Sequence, residues 1–195
     1  MNFPPPAAAL LSALCGLLLA VAPAAANGWQ ALDSCRLLEN PGNDGDSFHV
    51  KKDGKEYIFR LLYVDCPERK DLGLTQRTTE QARYFKILKR DLYPLAEQAA
   101  AFTTKALGRP FRIQTCWEDA RGDSHLPRFY AVVTTEGGDD LATLLVRAGL
   151  ARIHGRPVSA PGGRSGAEAV AALEKEEAAA RAAARGAWAF QKEKK

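Results

Sequence analysis

The sequence predicts an α+β domain built on a small β-barrel, with helices inserted into it and appended after it. Three observations carry that expectation. β-prone runs joined by tight turns fill the first half of the chain. Helical stretches interrupt and then follow them. The length of 195 residues is enough to bury one core without covalent staples. Hydrophobic residues make up 46% and charged residues 26%, which is ordinary globular usage and excludes disorder over the whole length. A single long apolar run excludes a multi-pass membrane protein, and four cysteines are too few for a disulfide-built scaffold. The net charge of +4 permits a polyanionic partner without demanding one.

Taken in order, residues 1–26 carry no charged side chain. Ala7 to Ala22 is almost unbroken apolar sequence, and Pro23-Ala24-Ala25-Ala26 ends in the small-residue pattern that a signal peptidase accepts. A secretory signal cleaved near Ala26 is expected, although Met1 to Pro6 lacks the usual Lys or Arg. An uncleaved anchor is the alternative, but the run is shorter than the ~20 residues of a spanning helix. Export implies a secreted or periplasmic protein in an oxidising compartment. Residues 27–195 form the expected domain and keep Cys35, Cys66 and Cys116, whose spacings of 31 and 50 match no zinc pattern. One disulfide plus a free thiol, or three buried thiols, satisfies that count.

Phe48 to Val64 reads as a β-hairpin turning at Asp53-Gly54. Its second strand, Tyr57 to Val64, is apolar on both faces, with Arg60 as the exception that needs a reason. A polar stretch from Arg69 to about Arg77 follows. Thr79 to Leu92 has helical spacing, with Pro94 expected to break it, and a second helix is expected from Leu95 to Leu107 before Gly108. Phe111 to Trp117 alternates as a strand, a polar turn carries Gly122, and Arg128 to Thr135 is another strand. Asp139 or Asp140 can cap a helix whose apolar face is Leu141, Leu144, Leu145 and Ala148. Residues 155–166 read as a loop. Ala167 to Arg185 reads as a long helix, with Trp188 and Phe190 available to pin its end.

Three segments could carry chemistry. In Asn43-Asp44-Gly45-Asp46-Ser47, two carboxylates flank a glycine, which suits a hard cation such as Ca²⁺ or Mg²⁺ and equally describes a surface turn. In Arg60-Leu61-Leu62-Tyr63-Val64-Asp65-Cys66-Pro67-Glu68, an arginine lies inside an apolar strand and two carboxylates straddle a proline that stiffens the strand exit. A buried Arg–Asp structural pair is the plainer reading of that segment. Arg128 opens a strand, where a lone arginine is usually just solvated. Together they supply carboxylates for a divalent cation, a carboxylate for water and two guanidiniums. Phosphodiester hydrolysis needs those parts, and lysine lacks the bidentate fork. Strict alternation puts Arg60 and Asp65 on opposite faces, so they share a site only if the strand bends, bulges or ends between them.

Asp44-Gly45-Asp46-Ser47, then Phe59 to Glu68, then Ala142 to Gly149-Leu150-Ala151, and the C-terminal Gly186-Ala187-Trp188, resemble the staphylococcal nuclease (thermonuclease) family over about residues 32–190. The resemblance implies a five-stranded OB-type β-barrel with three helices, here with an extra helix inserted between Glu68 and Glu97. It implies Ca²⁺-dependent cleavage of DNA and RNA that leaves 3′-phosphates, by a monomer with no stable membrane partner. It implies Asp46, Asp65 and the Cys66 carbonyl as metal ligands, Glu68 as the residue acting on water, Arg60 and Arg128 as the phosphate arginines, and Asp44 as an acid behind the ligands.

Three departures stand out. Leu126-Pro127 replaces the family's Tyr-Gly, removing a Lys-Tyr pair. Two tyrosines expected between His154 and Pro157 are replaced, and Cys66 stands for threonine. A catalytically weak or inactive OB-fold nucleic-acid-binding module is therefore the alternative function, and an interaction domain of the cell envelope is a third. The OB pairing of the first and fourth barrel strands implies a Cys35–Cys116 disulfide. Arg83, Lys86, Lys89 and Arg90 form either an extra phosphate track or a solvated helix face.

Overall fold

The computed structural model describes residue 1 and residues 28–68, 76–120, 126–155 and 157–194. The expected signal segment and the Gly122 turn lie outside the described residues. In chain order the strands are β1 (Gln30–Leu37), β2 (Ser47–Lys52), β3 (Lys55–Leu61), β4 (Val64–Asp65), β5 (Phe111–Thr115), β6 (Arg128–Thr134) and β7 (Arg152–Ile153). The helices are α1 (Gln76–Phe85), α2 (Leu92–Ala106), α3 (Leu141–Arg147) and α4 (Gly166–Ala182). Five strands close a barrel in the order β1-β2-β3-β6-β5, and β4 and β7 form a separate two-stranded ribbon. This is the α+β, OB-type barrel with an inserted helix that the sequence leads one to expect.

The β2–β3 hairpin turns where expected. Asp53 and Gly54 have φ of 49° and 79°, the pair of positive values that a two-residue turn needs to match strand twist. Its ladder runs from Ser47 opposite Arg60 to Lys52 opposite Lys55. β3 then pairs in parallel with β6, placing Ile58 opposite Arg128 and Arg60 opposite Tyr130. A parallel neighbour demands a long crossover, and that crossover carries α1 and α2.

Phe48, Val50, Phe59, Leu61, Ile113 and Val133 are fully buried. Each such side chain contributes about 1.5–3 kcal/mol by leaving water.

Two helix boundaries differ from expectation. α1 stops at Phe85 because Lys86 turns left-handed at φ 57° and the Ile87 N–H returns to the Ala82 carbonyl at 3.0 Å. Pro94 does not break a helix. It lies in the first turn of α2, where the missing N–H has no helical partner to lose. α3 is capped by Asp140, whose Oδ1 accepts from the Thr143 N–H at 2.7 Å. α4 opens with a reciprocal Ser165–Glu168 cap. Trp188 pins the end of the chain, edge-on to Phe85 at 5.2 Å and with the Arg181 guanidinium 4.1 Å from its ring centre.

The expected Cys35–Cys116 bond is absent, and Cys35, Cys66 and Cys116 are all free thiols. β1 does pair with β5, but Cys35 faces Phe111 while Gln30 faces Thr115, the neighbour of Cys116. The two cysteines therefore sit at opposite ends of the ladder, about 15 Å apart at strand rise, beyond disulfide reach. Among the described residues no helix is long and apolar enough to cross a membrane.

Candidate functional site

The site is built where the loop before β2 meets the exit of β3. Asp44 folds the loop by accepting the N–H groups of Asp46 at 3.0 Å and Ser47 at 2.6 Å, an Asx turn. Gly45 lies against Cys66 and Ala99, so tightly that a Cβ there would stand 2.6 Å from the Cys66 sulfur. Thr103 of α2 holds the same glycine by donating to its carbonyl at 2.7 Å. The Asp46 carbonyl accepts from the Leu61 N–H at 2.8 Å. Asp46 is thereby fixed beside the end of β3.

The strand ends between Arg60 and Asp65. β3 stops at Leu61, Tyr63 adopts φ 67°, and β4 resumes at Val64. That bend removes the alternation conflict and turns both side chains to one place. Arg60 Nη2 lies 2.7 Å from Asp65 Oδ1 and 2.8 Å from Asp46 Oδ2.

The electrostatics of the two carboxyls diverge. Both Asp46 oxygens are buried and accept no hydrogen bond within the described structure. Burial pushes its carboxyl up to about 6, with Arg60 only partly offsetting that. Burial also pushes Asp65 up, but Arg77, Arg152 and Arg60, with the Gln81 amide, more than offset it and bring the carboxyl down to about 2. Asp44 is raised well above its usual range by burial, and then by Asp46 and Glu68. Burial works against the Arg60 charge, yet Asp46 and Asp65 outweigh it and raise its pKa. Burial, and then repulsion from Arg60, lowers that of Arg128.

The remaining expected residues also lie here. Glu68 lies close enough for its charge to act on Asp44, Asp46 and Arg60, and it forms an ion pair with Arg77. The Cys66 thiol is buried, and its carbonyl accepts from Gln81 Nε2 at 2.9 Å. Arg128 reaches in from the start of β6, with Nη1 3.5 Å from Ser47 Oγ. Arg83, Lys86 and Arg90 instead stand exposed on the outer side of the α1 region.

Residues 58–190 match the family model for staphylococcal nuclease homologues. The chain belongs to the staphylococcal nuclease family. No curated protein matches it. The match begins inside β3, so the family likeness itself covers Arg60, Asp65, Glu68 and Arg128 but not Asp46. The geometry of its loop sets Asp46 beside Arg60, 2.8 Å from its Nη2.

Sequence reasoning missed three members of the site. Arg77 forms an ion pair with Asp65, Gln81 donates to Asp65 Oδ2 at 2.8 Å, and Arg152 Nε donates to the same oxygen at 2.7 Å. The first two were detectable as polar residues four apart on one helix face. The third was detectable as a charge within the apolar run Leu150 to Ile153.

Among the described residues no cluster of three or more Asp, Glu, His or Cys closes round a metal. The available donors are nonetheless all oxygen. They are the two carboxylates bridged by Arg60 and a peptide carbonyl, with Asp46 left short of hydrogen-bond donors. That donor set fits a hard cation which keeps part of its water shell, such as Ca²⁺, and does not fit a soft metal.

Proposed function

We propose that the protein is a Ca²⁺-dependent nuclease that hydrolyses phosphodiester bonds in DNA and RNA and leaves 3′-phosphates. The observation that carries this reading is Arg60 bridging Asp46 and Asp65, with Glu68 and Arg128 beside them. Asp46, Asp65 and the Cys66 carbonyl would hold the ion. When bound, Ca²⁺ would supply positive charge to offset that of the phosphate oxygens.

The chain's own residues do the rest. Arg60 and Arg128 offer forked N–H donors to the phosphate and to the charge that builds on it as water attacks. Glu68 orients the attacking water and accepts its proton, and the bond from phosphorus to the 5′ oxygen breaks. The Arg77 pair on Glu68 favours a second reading, a nucleic-acid-binding module whose water-handling carboxylate is held out of use.

Digestion of plasmid DNA and of RNA, with Ca²⁺ and with EDTA, separates the two readings. Cleavage that requires Ca²⁺ and falls by about 10²–10⁴ in Glu68→Gln supports the nuclease. Salt-sensitive binding with no scission at micromolar protein overturns it in favour of the module. We further propose export with removal of residues 1–26, and a monomeric domain over residues 27–195. N-terminal sequencing and the sedimented mass of the exported protein test these.

A further inference from the structure

Asp65 is met by three guanidiniums and one amide. Its Oδ1 receives Arg60 at 2.7 Å and also Arg77. Its Oδ2 receives Arg152 at 2.7 Å and Gln81 at 2.8 Å. Arg77 spends its second terminal nitrogen on Glu68, so one guanidinium spans the two carboxylates. A carboxylate offers about four lone-pair directions, and four donors leave Asp65 none for a cation. One donor has to withdraw before Asp65 can act as a ligand.

Burial decides which one withdraws. The Arg60 and Arg152 side chains are 10% and 6% exposed, against 33% for Arg77. Arg60 stands in β3, held between β2 and β6, and Arg152 stands in β7, paired with β4 so that it lies opposite Asp65 itself. Arg77 stands in the first turn of α1, and its guanidinium reaches water by rotating its own side chain. A buried guanidinium stripped of its partner is costly, while one already at the surface is rehydrated.

We propose that Arg77 is a resident counter-cation of Asp65 and Glu68 that competes with a divalent ion for Asp65, and that binding of the ion releases its guanidinium to solvent. This rests on the cation reading given under Proposed function. Ion binding and the freeing of Glu68 are then one event, because the same guanidinium holds both carboxylates. Arg77 thus sets the ion concentration at which Glu68 becomes available. α1, the helix inserted between Glu68 and α2, delivers it.

The test is calorimetric Ca²⁺ titration of the exported protein, with melting followed in EDTA and in Ca²⁺, for wild type, Arg77→Gln and Arg77→Lys. Arg77→Gln is expected to bind Ca²⁺ up to about fivefold more tightly, the scale set by a partly exposed ion pair. Arg77→Lys, which keeps the charge but loses the fork, falls between. In EDTA Arg77→Gln melts below wild type, because two carboxylates lose their counter-ion. Ca²⁺ narrows or reverses that gap.

An unchanged or weaker Ca²⁺ affinity in Arg77→Gln overturns the proposal alone, as does an equal melting deficit with and without Ca²⁺. The absence of Ca²⁺ binding in both wild type and variant overturns it together with the cation reading. If Arg77→Gln does not fold, Arg77→Lys decides, and wild-type affinity in it overturns the proposal.

Discussion

Replacing Asp46 by asparagine is expected to stabilise the metal-free protein at neutral pH while removing a proposed ligand. Asp46 is fully buried, its oxygens accept no hydrogen bond within the described structure, and among the described residues Arg60 forms an ion pair with it at 2.8 Å. Its carboxyl rises from an ordinary 3.8 to about 6 in the fold. Folding therefore favours the protonated form. Stability is greatest below the unfolded value, falls as pH climbs through the interval, and stays low above the folded value.

The whole interval is worth up to about 3 kcal/mol. Asparagine keeps the shape without the charge. The attraction to Arg60 that it gives up is already counted in that shift, and Arg60 keeps Asp65 at 2.7 Å. A net gain of up to about 3 kcal/mol follows at pH 7.5, shrinking to nothing near pH 4. Urea unfolding in EDTA from pH 4 to 8 measures it as the difference between variant and wild type. A variant no more stable than wild type at pH 7.5, or a difference that stays flat across the range, would refute this account of the charge.

Three further outcomes are expected. Gly45→Ala places a Cβ 2.6 Å from the Cys66 sulfur and 2.7 Å from the Ala99 Cβ, and overpacking of this kind should cost about 2 kcal/mol in urea unfolding. Trp188→Ala removes a ring that is 3% exposed and packed on Phe85 and Arg181, and should cost about 3–5 kcal/mol in the same assay. In exported, non-reduced protein, Cys116 should react with a thiol reagent before Cys35. Cys35 is fully buried, and its thiol is pushed up to about 11 chiefly by that burial; mass spectrometry finding the two joined would contradict the fold.

Much of the architecture was legible because local signals and tertiary demands agree. Asp53-Gly54 suits a tight hairpin, the two-faced apolar run of β3 requires cover on both sides, and the cap at Asp140 marks a helix start by chemistry that acts within four residues. Where signals act at a distance, the reading failed. Pro94 looks like a helix breaker in isolation and becomes a helix starter only because Lys86 has already turned the chain. The pairing of β1 with β5 was readable, but its register was not, and register alone separates Cys35 from Cys116.

The candidate site divides in the same way. Residue types and order nominated a set of carboxylates and two arginines suited to water attack on a phosphate, and the family resemblance singled out Asp46, Arg60, Asp65, Glu68 and Arg128 among them. Sequence by itself determined that inventory, the barrel class and the helices with marked ends. Only the tertiary structure decided that β3 breaks at Tyr63, which turns Arg60 and Asp65 to one side. It alone brought Arg77, Gln81 and Arg152 onto Asp65 from 12, 16 and 87 residues away. The physical reason is that a carboxylate's charge state is set by everything within a few ångströms of it. Chain folding, unlike spacing along the chain, fixes which groups those are.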